Sequence, residues 1–98
     1  MVDDLPHILV VDDDRRIRNL LQAFLMENGF RISAAATAAE AREQMRIMAF
    51  DLVVLDIMMP GMNGYELCQL IKEKYPNMKV MLVSAKASVD ERMKGYEV

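Results

Sequence analysis

Four short apolar runs punctuate the chain, and the intervals between them follow a different spacing. Ile8-Leu9-Val10-Val11 and Leu52-Val53-Val54-Leu55 are continuous apolar segments, the pattern of strands buried on both faces of a parallel sheet. Val80-Met81-Leu82-Val83 is a third run of this kind, and residues 30–35, apolar in places and rich in Ala, form a weaker one. After the first run, Ile17, Leu20, Leu21, Phe24 and Leu25 recur at helical spacing, with Arg15, Arg16, Arg18 and Asn19 largely opposite. Asn28-Gly29 stops that helix, because Gly readily takes the left-handed C-cap conformation.

Thr37 followed by Glu40 has the capping-box pattern and opens a second helix running to about Met48. Pro60-Gly61 and Asn63-Gly64 break the chain into a loop. Residues 65–74 read as a third helix with Leu67, Leu70 and Ile71 inward, and Pro76-Asn77 forces a turn. Ser88 followed by Glu91 is a second capping box, expected to open a helix that the chain's end cuts off at Val98. The order is thus β-α-β-α-β-α-β-α with short connections. Such alternation predicts an α/β fold, an open doubly wound parallel sheet covered on both faces by right-handed crossovers.

Composition narrows the class. The 98 residues allow one domain, residues 1–98, and 53% hydrophobic with 28% charged residues describes a globular chain. A formal net charge of −3 without clustered Lys and Arg argues against a nucleic-acid surface. No apolar run approaches the roughly 20 residues that span a bilayer, and the acidic N-terminus lacks the form of a signal peptide. Cys68 is the single cysteine, so no internal disulfide is possible and a reducing, cytoplasmic setting is expected. Cys68 falls on the apolar face of the third helix, as a buried inert thiol. His7, the only histidine, precedes the first strand and joins no metal-binding pattern.

The chemistry collects at strand ends. Asp12 and Asp13 follow the first strand and Asp56 follows the third, the edge where open α/β sheets hold their ligands. If those two strands are neighbours, the carboxylates converge and repel, and a divalent cation relieves the conflict. Mg²⁺ favours one or two carboxylates, waters and a phosphate oxygen. Asp14 is assigned a structural role as the N-cap of the first helix. Arg15, Arg16 and Arg18 are explained as a solvated helix face.

Ile-Leu-Val-Val-Asp12-Asp13, Asp51-Leu-Val-Val-Leu-Asp56 with Pro60-Gly61 and Gly64, and Val80-Met-Leu-Val-Ser84-Ala85 together resemble the response-regulator receiver family of two-component signalling systems. The match covers nearly the whole chain. The resemblance implies a flavodoxin-like sheet of order 2-1-3-4 and phosphoryl transfer from a histidine kinase to Asp56. It implies Mg²⁺ held by Asp13, Asp56 and the backbone carbonyl of Met58, with Asp12 helping mainly through bound water, in a loop shaped by Pro60 and Gly61. Ser84 matches the hydroxyl that approaches the phosphoryl group. Such a chain is a phosphoacceptor switch that assists its own phosphorylation and dephosphorylation, not a turnover enzyme, and a DNA-binding output domain outside it is an expected partner.

Receiver domains usually continue through a fifth strand, ending in a lysine, and a fifth helix, which are lacking here. Lys86 reads as a solvated loop lysine and not a substitute. The expected consequences are an open apolar edge on the fourth strand and an uncovered sheet face. Self-association of this shortened form is therefore expected, as is Mg²⁺ binding with poor phosphorylation. A phosphorylation-independent interaction module of the same architecture is the alternative function. A metal-dependent phosphatase of haloacid-dehalogenase type is disfavoured, since Arg15-Arg16 follows Asp12-x-Asp14 where a Gly-Thr pair is usual.

Overall fold

The computed structural model describes residues 5–57, 63–83 and 95–97, the last three through their backbone. Five strands, β1 (His7–Val11), β2 (Arg31–Ala35), β3 (Leu52–Asp56), β4 (Lys79–Val83) and β5 (Gly95–Glu97), form one sheet of order β2-β1-β3-β4-β5. The first four are parallel, in the expected order 2-1-3-4. Their crossovers contain α1 (Arg15–Glu27), α2 (Ala38–Ile47) and α3 (Gly64–Lys74).

The caps explain where the helices begin and end. Asp14 accepts hydrogen bonds from the amides of Arg16 and Ile17 at 2.9 and 3.4 Å, fixing the start of α1. Gly29 adopts φ 87° beyond its last turn, and the Gly29 and Phe30 amides donate to the carbonyls of Met26 and Leu25. That double bond is the Schellman arrangement, and Phe30 and Leu25 pack within the same apolar cluster. At α2, Thr37 Oγ1 accepts from the Glu40 amide, while Glu40 returns its carboxylate to the amide of Ala36, one residue earlier than the usual capping box.

Alternation along the strands sends side chains to two different environments. Leu9, Val11, Val53, Leu55, Val80 and Leu82 point to the face covered by α2 and α3, where Ala41, Met45, Leu67, Cys68 and Ile71 complete the main core. Ile8, Val10 and Val54 point to the other face, where Leu21 and Leu25 of α1 pack against them. The cover there is thinner. No residue of α1 is fully buried, and the expected inward residues Leu20 and Phe24 are 66% and 59% exposed. Only the row nearest the sheet packs, since α1 covers β1 and β2 without an apolar neighbour on its far side among the described residues. Leu70 of α3, also expected inside, is 37% exposed, whereas Cys68 beside it is buried as anticipated.

Two expectations about the end of the chain are corrected. β4 is not an open edge: β5 pairs with it antiparallel, Met81 opposite Glu97 and Val83 opposite Gly95. The helix expected from Ser88 therefore does not continue to Val98. Its first residues lie outside the described ones. The physical reason is the unpaired row of N–H and C=O groups on the outer side of β4, which a short extended segment satisfies.

Candidate functional site

β1 and β3 are parallel neighbours, with Val11 directly beside Leu55. The residues that follow, Asp12 and Asp56, therefore emerge side by side at the carboxyl edge of the sheet. The chain leaves β1 toward β2 on one side and β3 on the other, so this is the point at which the strand order reverses. Asp12, Asp13 and Asp56 each present an oxygen within 4.8 Å of the others. Asp12 and Asp56 are 1% and 0% exposed, and Asp13 is half-buried. The topology brings together the three acids singled out in the sequence.

Asp12 is held on several sides. Its amide donates to Ala35 O at 3.1 Å, and its Oδ1 accepts from the Asp14 amide at 2.8 Å. Its Oδ2 is buried with no hydrogen-bond partner among the described residues. Burial lifts its pKa from 3.8 to about 6, and the charges of Asp56, Asp13 and Asp14 add to the rise against the opposing Asp14 hydrogen bond. A carboxylate kept in so costly an environment is suited to a cation. Three hard oxygen donors within this span fit Mg²⁺, which takes carboxylates and retains waters.

Two residues contribute in ways that spacing alone did not reveal. Gly64, the first residue of α3, lies so close to the end of β3 that a Cβ there would stand 2.5 Å from Asp56 O and 2.8 Å from Ile57 Cα. Its amide donates to Ile57 O at 2.8 Å, fastening α3 to the strand end that carries Asp56. The Asn63-Gly64 turn signal marked the position but not this contact. Arg18, assigned above to a solvated face, is half-buried, and its Nη1 donates to the backbone oxygen of Asp12 at 2.8 Å. Asp14 is the N-cap as expected; the Arg16 amide above all, then the Ile17 amide and the Arg16 guanidinium, hold its carboxyl below the usual range.

Met58, Pro60, Gly61, Ser84 and Lys86 lie outside the described residues. His7 stands away from the acids, at the opposite end of β1, where its Nε2 and Ser33 Oγ are hydrogen-bonded at 2.8 Å. Among the described residues no helix is long and apolar enough to cross a membrane.

A doubly wound sheet with an acid cluster at its switch point is the arrangement of a receiver domain, and the comparisons agree. The family described as "Response regulator receiver domain" matches residues 8–98, and the chain belongs to that family, the receiver domains of two-component systems. It is 45% identical over 92 residues to Protein PetR of Rhodobacter capsulatus, covering 94% of this chain and 38% of that protein. The chain therefore spans well under half the length of this relative. Among solved structures it is similar to the response regulator TrrA of Thermotoga maritima in complex with Mg²⁺-BeF, with TM-score 0.79 and 41% identity over 83% of this chain and 70% of that one. It is likewise similar to the complex of the histidine kinase ThkA with TrrA, with TM-score 0.79 and 38% identity over 91% of this chain and 77% of that chain.

Proposed function

We propose that this chain accepts a phosphoryl group on Asp56 from a histidine kinase, in a Mg²⁺-dependent reaction that switches an output surface or an output domain beyond it. The observation that carries the reading is the convergence of Asp12, Asp13 and Asp56 within 4.8 Å at the reversal point of the sheet. The solved TrrA structures, one with Mg²⁺-BeF and one with a histidine kinase, support both the metal and the partner.

In this reading a carboxylate oxygen of Asp56 attacks phosphorus. An O–P bond forms as the P–N bond to the kinase histidine breaks, and the imidazole leaves with that electron pair. Bound Mg²⁺ would neutralise charge on the carboxylates and the transferring oxygens. Asp12 and Asp13 would hold the ion with Asp56 and the Met58 carbonyl, and the Asp14 amide fixes the Asp12 carboxylate. Ser84 would donate to a phosphoryl oxygen, drawing the strand-end loop toward the site and biasing the neighbouring surface. The chain acts as a phosphoacceptor assisting its own phosphorylation and dephosphorylation, and the lone Cys68 suits a cytoplasmic setting.

Incubation with acetyl phosphate and Mg²⁺, followed by intact-mass measurement, tests this. A minor fraction of the wild-type chain should gain one phosphoryl group, and Asp56→Asn none. Equal labelling of Asp56→Asn, or no Mg²⁺ binding by calorimetry, would overturn the assignment and favour a phosphorylation-independent interaction module.

A further inference from the structure

The basic residues of α1 are placed against the electrostatics of their own helix. Arg15, Arg16 and Arg18 occupy its N-terminal turns, its first turn has no acidic residue and its last turn no basic one. The helix macrodipole disfavours cations at that end, so whatever favours an arginine there lies outside the helix. Arg15 and Arg16 are exposed, as solvated residues would be, but Arg18 is half-buried. Its side chain runs back over the preceding turn, as helical side chains do, and Nη1 reaches the carbonyl of Asp12 at 2.8 Å. Its own amide donates to Asp14 O at 3.0 Å, so Arg18 binds both ends of the turn carrying Asp13.

We infer that Arg18 is a positioning residue for the metal site, clamping the Asp12 backbone so that its carboxylate keeps a fixed orientation toward the cation. The inference rests on the reading that Asp12, Asp13 and Asp56 hold Mg²⁺. Three bonds then restrain Asp12: amide to Ala35 O, Oδ1 from the Asp14 amide, and carbonyl from Arg18. Only the last comes from a side chain. It leaves Oδ2, buried without a hydrogen-bond partner among the described residues, as the oxygen available to an ion. Partners that orient a metal ligand from behind commonly change affinity by about 10–100-fold when removed.

The clamp and the charge of Arg18 predict opposite signs. Removing a nearby positive charge should by itself tighten Mg²⁺ binding, whereas releasing Asp12 should weaken it. Arg18→Met keeps the apolar stem, which packs as arginine stems do, and removes both donor and charge. Titration of the 98-residue chain with MgCl2 by calorimetry should show Kd weaker by about tenfold in Arg18→Met. Arg18→Lys, which retains a donor, should recover most of that loss, while in EDTA the melting temperature of Arg18→Met should fall only by the worth of one hydrogen bond. An unchanged or tighter Kd in Arg18→Met overturns the clamp, as does a loss of affinity that Arg18→Lys does not recover, which would make Arg18 merely structural. If the wild type itself binds no Mg²⁺, the reading of the acid site fails instead.

Discussion

The two ends of the parallel sheet both contain buried ionisable groups, but they satisfy them differently. At the amino end, the His7 amide donates to Asp51 Oδ2 and the Asp51 amide donates to His7 O, both at 2.8 Å. The His7 ring is hydrogen-bonded to Ser33 and lies 4.5 Å from the Phe50 ring. At the carboxyl end, Asp12, Asp13 and Asp56 crowd together as like charges, with Asp12 Oδ2 without a hydrogen-bond partner among the described residues. Buried polar groups that complete one another rigidify a fold. Like charges kept together destabilise it and are retained where a ligand resolves them. The amino end is built for stability and the carboxyl end for chemistry.

The largest effect expected from breaking this arrangement is at Gly64. Gly64→Ala would drive a Cβ into the Asp56 carbonyl and the Ile57 backbone, neither of which is a flexible side chain able to turn aside. Overpacking of this kind costs about 1–3 kcal/mol, and here the displacement falls on Asp56. Thermal melts and Mg²⁺ titration should both deteriorate. Gly29→Ala provides the contrast: its φ of 87° strains an alanine, by about 1–2 kcal/mol, yet nothing lies within 4 Å of the added Cβ. It should lower the melting temperature and leave Mg²⁺ affinity intact. Equal losses of affinity in both variants would show that general stability, and not the seating of Asp56, governs the site.

A smaller effect of opposite sign is expected at Asp12. A carboxyl whose pKa is raised from 3.8 to about 6 contributes stability that is fully present below 3.8 and is lost as pH rises through about 6. Without metal, Asp12→Asn should therefore stabilise the chain at neutral pH, by on the order of 1 kcal/mol. The same substitution should weaken or abolish stabilisation by Mg²⁺. Melting curves at pH 5 and pH 7.5, with EDTA or with MgCl2, separate the two consequences. A destabilised Asp12→Asn in EDTA at neutral pH would mean that the acid cluster is not strained.

Much of this was legible in the residues because the sheet end is a backbone property. Continuous apolar runs located β1 and β3, and the acids directly after them had to emerge at one edge once those strands were neighbours. The caps at Asp14, Thr37 and Gly29 were likewise written locally. The contributions of Arg18 and Gly64 were not, because each depends on what an unrelated stretch of backbone places opposite it. Periodicity also assigned Leu20 and Phe24 inward, since helical spacing marks an apolar stripe without saying how much of it a neighbour covers. β5 escaped for a similar reason: Gly95-Tyr96-Glu97 has no strand pattern of its own and pairs only because β4 offers an edge.

The smallest expected effect tests the amino end. Burial, and then the Arg31 charge, lower the pKa of His7 against the opposing pull of Asp51. A lowered histidine contributes stability that is present above its ordinary value of 6.5 and is lost as pH falls below it, the reverse of Asp12. His7→Gln should flatten that acid-side loss, best seen in urea unfolding between pH 5 and 7 on an Asp12→Asn background. Ser33→Ala should cost about 0.5–1.5 kcal/mol, the worth of one hydrogen bond. Neither substitution should alter Mg²⁺ affinity or labelling at Asp56, because the amino end shares no ligand with the acids. A changed Mg²⁺ affinity in Ser33→Ala would join the two ends through β2, whose Ala35 carbonyl receives the Asp12 amide, and the division of labour between them would fail.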